Sequence, residues 1–350
     1  MTDEIKLTQF SKGGGCGCKI APSVLQQIIK TDTIGSFQDL LVGNESADDA
    51  AVYQINGETA VISTADFFMP IVDDAFQFGR IAAANAISDV YAMGGTPLMA
   101  IALLGWPIAK VPVEAAQQVL EGGRAVCREA GIPLAGGHTI DTLEPMFGLA
   151  VTGTVATKNI KQNNTARVGD QLFLTKPLGT GLLTTALKRG LLQPAHYEAV
   201  LKQITTLNKI GAALSRFSSV HAMTDVTGFG LLGHLLEMAA GSNVTAHLHY
   251  GLLKKFDGIE DYIEQRTMPG ATARNWASYG EHITLDEKIN EQQALALLPD
   301  PQTNGGLLIA VAPEGIAEIQ ELFRENGLEE YTTPIGTLVE AGDKRIVVLP

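Results

Sequence analysis

Residues 50–64 read AAVYQINGETAVIST. Two β-branched and apolar runs flank Asn56-Gly57, which is the strongest short-range signal for a hairpin. The stretch is therefore read as two antiparallel strands. With the turn centred on Asn56-Gly57, Asp49 falls opposite Thr64, and Asp66 lies one step further on the same face. Cross-strand diagonal neighbours stand about 7–8 Å apart, so the two acids share one end of the hairpin within reach of a common cation or its phosphate ligand. The plain alternative is that Asp48 and Asp49 open a strand and Asp66 closes one.

Working outward, residues 74–93 (DAFQFGRIAAANAISDVYAM) form a helix, with Asp74 and Gln77 spaced as a capping box and Gly94-Gly95 as its stop. Capping accounts for Asp74, and Asp73 is put down to structure with it. A second helix spans about Val113 to Ala130, and strand-like runs follow at 132–137 and 146–156. Strands and helices are thus mixed without strict βαβ alternation. The polar stretch TKNIKQNNTARVGD (157–170) lacks a core-forming period and is the best boundary. Beyond it come the strand-like QLFLTKPLG, helices near 180–190 and 196–216, the segment HAMTDVTGFGLLGHLLEMA, a loop beginning DPQTNGG, a helix near 315–326 and a last strand. Upstream, the first 30 residues are loop-like apart from the short helical stretch PSVLQQIIK. The expected organisation is a flexible Gly-rich loop (1–20), an N-terminal domain (21–157) and a C-terminal domain (170–350).

The totals bound the function. A chain of 350 residues, 45% hydrophobic and 18% charged, buries two substantial cores. No apolar run is long enough to span a bilayer, and MTDEIKLTQF lacks the marks of an export signal, so the cytoplasm is expected and the sequons at Asn44, Asn163 and Asn243 are discounted. Cys16, Cys18 and Cys127 are too few for a disulfide framework, which fits free thiols in a reducing compartment. A formal charge of −13 without a basic run argues against nucleic acid. A small polyanion remains a fitting ligand if divalent cations mediate between it and the carboxylates.

Asp89 lies four residues after Asn85 on one face of a helix made largely of Ala and Ile. A carboxylate removed from water needs a partner; Arg80 is one, a metal the other. Asp225 follows a short apolar segment and precedes a helix. Gly228, Gly230 and Gly233 match GxGxxG, a weak fingerprint without a clear second strand and acid. In KGGGCGCK (12–19), Lys12 and Lys19 favour a thiolate at Cys16 or Cys18, and the glycines let the segment fold over a ligand. It is not a P-loop. The plain reading is a loose tail. A zinc site from Cys16, Cys18, Cys127 and His138 has poor ligand spacing; Cys127 reads as a core residue, and His138 either borders the site or is an ordinary loop histidine.

The stretches GGGCGCK, GNESADDAAVY, STADFFMPIVDD, NAISDVYAMGG, LAGGHT, AMTDVTGFGLLGHL and DPQTNGGLL, in this order over essentially the whole chain, together resemble the selenophosphate synthetase family, the selenide, water dikinases. The resemblance implies an α/β plus α+β fold of the aminoimidazole-ribonucleotide-synthetase-like ATP enzymes, with an N-terminal domain that dimerises through its β-sheet. It implies that ATP, selenide and water give selenophosphate, AMP and phosphate, with Mg²⁺ required, and that the product supplies selenium for selenocysteine and modified tRNA. Carried over by motif, Cys16 matches the essential cysteine, filled by selenocysteine in some members, and Lys19 the essential lysine. Asp49, Asp89 and Asp225 match the magnesium ligands; Lys19, Ser46, Ala47, Asp48, Asp66, Asp89, Gly137, His138 and Thr139 match the nucleotide surroundings. Thr303-Asn304 stands where Thr-Ser is more usual. Expected partners are ATP and selenide, a second copy of the chain, and enzymes that deliver selenide or take up selenium, with no membrane. Two rivals stay open: a related kinase or synthetase acting on an organic substrate, and a non-catalytic thiol carrier of selenium or metal.

Overall fold

The computed structural model describes residues 5–30, 37–44 and 47–350. The first sheet holds six strands: β1 (Leu40–Val42), β2 (Ala51–Gln54), β3 (Thr59–Phe68), β4 (Thr96–Trp106), β5 (Leu134–Asp141) and β6 (Met146–Ala156). Their order is β1-β2-β3-β6-β4-β5, antiparallel except between β4 and β5. Two helices, α2 (Ala75–Ala92) and α3 (Val113–Ala130), pack on this sheet, while α1 (Pro22–Ile29), earlier in the chain, lies against the helix Gly270–Tyr279 of the second half.

The second half is built on seven strands, β7 (Gln171–Leu174), β8 (Val220–Asp225), β9 (Val244–His249), β10 (Ile283–Leu285), β11 (Leu307–Val311), β12 (Gly336–Glu340) and β13 (Ile346–Leu349). They run in the order β10-β13-β9-β12-β7-β11-β8, a mixed sheet. Its helices are α4 (Thr180–Lys188), α5 (Pro194–Thr205), α6 (Ile210–Leu214), α7 (Gly230–Gly241), α8 (Ile259–Glu264), α9 (Gly270–Tyr279), α10 (Glu291–Leu297) and α11 (Ile316–Glu325). No described helix is long and apolar enough to cross a membrane.

Helix α2 positions the site. Asp74 caps it by accepting from Gln77 N at 2.7 Å, as its spacing predicts. Nearly every side chain from Phe78 to Ala92 is buried, so the helix shows no polar face, as expected for one enclosed by protein. It packs on α3, β3 and β6 on one side and on α5, α6 and β8 of the second half on the other. The polar residues it does carry inside must therefore find partners across that boundary.

Three sequence expectations change. The hairpin pairs Ala51 with Ser63 and Gln54 with Ala60, one residue off the two-residue turn. The cause is local: Asn56 Oδ1 accepts from both Glu58 N and Thr59 N at 2.9 Å, which lengthens the loop. Asp49 thus lies before β2 and does not face Thr64 across the ladder. The helix expected over 196–216 is two, α5 and α6, separated after Thr205. The strand expected to end at 137 is β5, which runs on to Asp141 and carries Gly137, His138 and Thr139 within it.

Helices α2 and α3 cross closely enough that a Cβ on Gly122 would lie 2.0 Å from Phe76 O. Gly122→Ala should force them apart and lower stability by about 1–3 kcal/mol. Activity should fall with it, because α2 carries site residues. An unchanged melting temperature would refute this reading of the crossing.

Candidate active site

The thiol-bearing segment does not stand off as a tail. Two short 3₁₀ turns, Leu7–Phe10 and Gly15–Cys18, lay it against the body, and Leu7 and Cys16 are buried. Thr8 donates from N and Oγ1 to Asp73 Oδ1 at 3.1 and 2.5 Å, and Gly15 N donates to Met69 O at 3.0 Å. Cys16 N donates to Thr303 Oγ1 at 3.0 Å. Asp73 and Met69 belong to the first half and Thr303 to the second, so the strap bridges them. Glycine is required at 15: φ is +54°, and a Cβ would meet Ile71 Cδ1 at 2.4 Å and Thr303 Oγ1 at 2.5 Å.

Asn85 is the hub beneath the strap. Its Oδ1 accepts from Cys16 Sγ at 3.1 Å and from Asn304 N at 2.7 Å, while its Nδ2 donates to Asp66 Oδ2. One buried amide thus fixes the thiol, an acid and a loop of the second half. Ser88 and Asp89 follow at i+3 and i+4 on the same face of α2. Ser88 Oγ donates to Asp225 Oδ2 and receives Asn208 Nδ2 at 2.8 Å. Asp89 Oδ2 accepts from Thr64 Oγ1 at 2.6 Å. Arg80 is not its partner, since that guanidinium donates to Gln77 Oε1. From β8, Thr224 Oγ1 donates to Asp49 Oδ1 at 2.7 Å.

The acids feel one another. Burial, then the charges of neighbouring acids, Asp225 first, hold Asp49 and Asp89 well above the usual carboxylate range. Burial raises Asp225 as well, opposed by the Ser88 hydrogen bond. Burial also pushes Asp48 up to about 7, although its Oδ1 accepts from Asp49 N and Asn163 N. Ala47 O accepts from Asn163 Nδ2 at 2.9 Å. Ser46 lies outside the described residues.

Lys19 supplies the positive charge. Crowding by protein works against its ammonium, but Asp66, then Cys16, Asp89 and Asp225, outweigh that and raise its pKa. The side chain still meets solvent, which tempers these charges. Its Nζ donates to Thr227 Oγ1 at 3.4 Å and lies over the Phe229 ring. The expectation of a thiolate at Cys16 is corrected: burial first and Asp66 second push its thiol up, and Lys19 does not reverse them. Cys16, Cys18, Lys19 and Asp66 line a cavity of about 190 Å³.

Other candidates lie apart. His138 lines a neighbouring cavity with Ile140 and Leu103, on exposed edge strand β5 beside Gly137 and Thr139, so these three do not join the acids in a single chain. Cys127 is a buried residue of α3 with its thiol pushed up to about 11 by burial, and the four-residue zinc arrangement is not assembled. Asn85, Ser88, Thr64, Thr224, Thr227 and Thr303 were not among the expected site residues; only the polar positions within an apolar helix gave a signal, for the first two.

Among the described residues no three His, Cys, Asp or Glu side chains form a ready-made metal site. The acids nonetheless suit a hard cation, because they offer oxygen alone, and Asp48 Oδ2 and Asp49 Oδ2 are buried without a hydrogen-bond partner among the described residues. Such an ion would complete its shell with water and the oxygens of a bound phosphate.

Two α/β halves meeting at an acid-lined cleft define a class. Residues 47–155 match the family AIR synthase related protein, N-terminal domain, and residues 167–349 its C-terminal domain. Thiamine-monophosphate kinase from Stenotrophomonas maltophilia shares the fold with a TM-score of 0.63, 22% identity, and 89% of this chain and 91% of that one covered. Selenide, water dikinase from Photorhabdus laumondii is 55% identical over 350 residues, 99% of each chain. The enzyme of that name from Yersinia pseudotuberculosis is 55% identical over 345 residues, 98% of this chain and 97% of its own. The chain belongs to the selenide, water dikinase family.

Two predictions follow from the charges. Asp89→Asn keeps the acceptor for Thr64 and removes one repelling charge wherever the raised acid is ionised, so in alkaline metal-free buffer the melting temperature should rise by a few degrees while activity falls about 10²-fold or more. A lower melting temperature would sink the repulsion account. Lys176 is buried, donates to Thr206 O at 2.7 Å and Asn304 O at 2.9 Å, and has its pKa lowered from 10.5 to about 7 by burial. Between those values the native state has released a proton that the unfolded state keeps, so stability rises with pH across that window. Against Lys176→Met, wild type should gain on the order of 4 kcal/mol from pH 7 to 10.5 in denaturant melts; parallel curves would contradict it.

Proposed function

We infer that this protein makes selenophosphate from ATP, selenide and water, releasing AMP and orthophosphate, and so supplies activated selenium for selenocysteine and selenium-modified tRNA. The observation that carries this is 55% identity to a selenide, water dikinase from end to end, the Cys16–Lys19 strap included. Two phosphoanhydride bonds break per turnover: one phosphoryl group ends on selenium and the other on water.

Asp49, Asp89 and Asp225 would hold Mg²⁺, and Asp48, Asp66, Ala47 and Ser46 would lie beside the nucleotide. Magnesium, when bound, supplies the charge neutralisation that lets a triphosphate lie among carboxylates. Lys19, held by Thr227 and surrounded by acids, stays protonated and stabilises negative charge developing on the transferred phosphoryl group. The strap covers Cys16 and keeps water from the sulfur.

Cys16 positions selenium as hydroselenide, its S–H a donor that can turn toward the anion without a change in oxidation state. Its thiol is pushed up by burial first and by Asp66 second, and Sγ donates to Asn85 Oδ1. The protein would work as a homodimer through the first sheet, where Phe67, Leu98, Met99, Ile101 and Ile140 are 42–55% exposed on β3, β4 and β5. Gly137, His138 and Thr139 on β5 would then contact the nucleotide near that interface. Free thiols and hydroselenide both suit the reducing cytoplasm.

Anaerobic phosphorus NMR of ATP, Mg²⁺ and selenide with the protein should yield a selenium-coupled phosphate signal and AMP. Cys16→Ser should lose the selenium-coupled signal, and ATP consumption measured in the same tube reports whether phosphoryl transfer needs the sulfur. Orthophosphate and ADP alone would refute the assigned reaction.

A further inference from the structure

The strap has two sides, and they differ in charge. Cys16, Lys19 and Asp66 face the smaller cavity, whose one carboxylate is Asp66. On the other side lies a larger cavity of about 490 Å³, whose lining includes Lys12, Thr184, Thr185, Lys188, Arg189 and Arg274 and no carboxylate. The whole chain has 25 basic against 38 acidic residues, so four cations around one space without an acid is a marked reversal of its field. None of the four side chains makes an ion pair among the described residues, although Lys12 N donates to Glu144 Oε2 at 3.2 Å and Arg189 Nη1 to Arg266 O at 2.8 Å.

Two of these cations also hold the strap. Lys188 Nζ donates to Ser11 O at 2.9 Å, and Arg274 Nη2 donates to Gly17 O at 3.2 Å, close to the two ends of the glycine run. An ammonium carries three donors and a guanidinium five, so each clasp leaves donors free to turn into the cavity. Thr303 lines the same space while its Oγ1 receives Cys16 N at 3.0 Å. A ligand there would lie one backbone away from the reactive sulfur.

We propose that this cavity is a binding site for a phosphate group, either free orthophosphate or a small phosphomonoester, separate from the acid-lined site across the strap. Its size is within the range of small-ligand sites. Planar guanidinium groups and flexible ammonium groups together match a tetrahedral oxyanion. Because Lys188 and Arg274 serve strap and ligand at once, anion binding and strap closure reinforce each other, and the coupling is reciprocal.

The site is testable without turnover. Full-length protein free of nucleotide and divalent cations is titrated calorimetrically, at constant ionic strength, with inorganic phosphate and separately with AMP; without divalent cations the carboxylates repel both. The wild type should bind, and Lys188→Ala/Arg189→Ala should weaken binding about tenfold or more. The conservative single variants Lys188→Gln and Arg274→Gln should each weaken it less. Hydrogen exchange over residues 11–18 should slow on ligand addition in wild type and not in the double variant. Equal affinities would identify free phosphate as the ligand, and tighter AMP binding a phosphomonoester; either keeps the site. No binding by either probe, or binding that the variants leave unchanged, overturns it.

Discussion

Asp49, Asp89 and Asp225 stand near enough for their charges to act on one another, Asp66, Asp89 and Asp225 act on Lys19, and Asp66 and Asp225 act on Cys16. Carboxylates removed from water repel each other strongly, and the fold around them is arranged to tolerate this. Each receives a short-range donor: Thr224 for Asp49, Asn85 for Asp66, Thr64 for Asp89 and Ser88 for Asp225. These donors fix the acids in place but do not neutralise them. The remaining compensation comes from protons, which Asp49 and Asp89 hold more tightly than ordinary carboxylates, or from a visiting charge, and in the proposed reaction that visitor arrives with the nucleotide. The cleft is thus less stable empty than a cleft of amides would be, which is the usual relation between a working site and a relaxed one.

The same field governs the sulfur. Burial first and Asp66 second push this thiol up, although a lysine lies three residues away in sequence. Sequence proximity to Lys19 favours ionisation; spatial proximity to Asp66, together with burial, opposes it more strongly. The balance shifts only when the acids are countered, so sulfur reactivity and cation loading are linked by electrostatics rather than by a moving part.

Much of this was legible in the chain. The Asp74 cap, the extent of α2 and the Asn85–Asp89 face follow from local spacing, and Asp89 stood out because a carboxylate within an apolar helix is hard to explain otherwise. The hairpin register was not legible, because the loop length depends on a side chain, Asn56, bonding its own backbone. The thiol's state was misjudged for a related reason: Asp66 is fifty residues from Cys16 in sequence and only the fold brings them together. Thr303 and Thr224 gave no signal, since a threonine that accepts from a strap or donates to an acid looks like any other threonine. The resemblance to a family named the acids and the strap residues, yet not the hydroxyls and amide that hold them.

Cys16 is tethered from opposite directions, its backbone nitrogen to Thr303 in one half and its sulfur to Asn85 in the other. A few degrees of swing between the halves would draw these anchors apart, and the cysteine would have to turn. The residue therefore registers the interdomain angle: its main chain and its sulfur keep their present placement only at the setting where both anchors are reached.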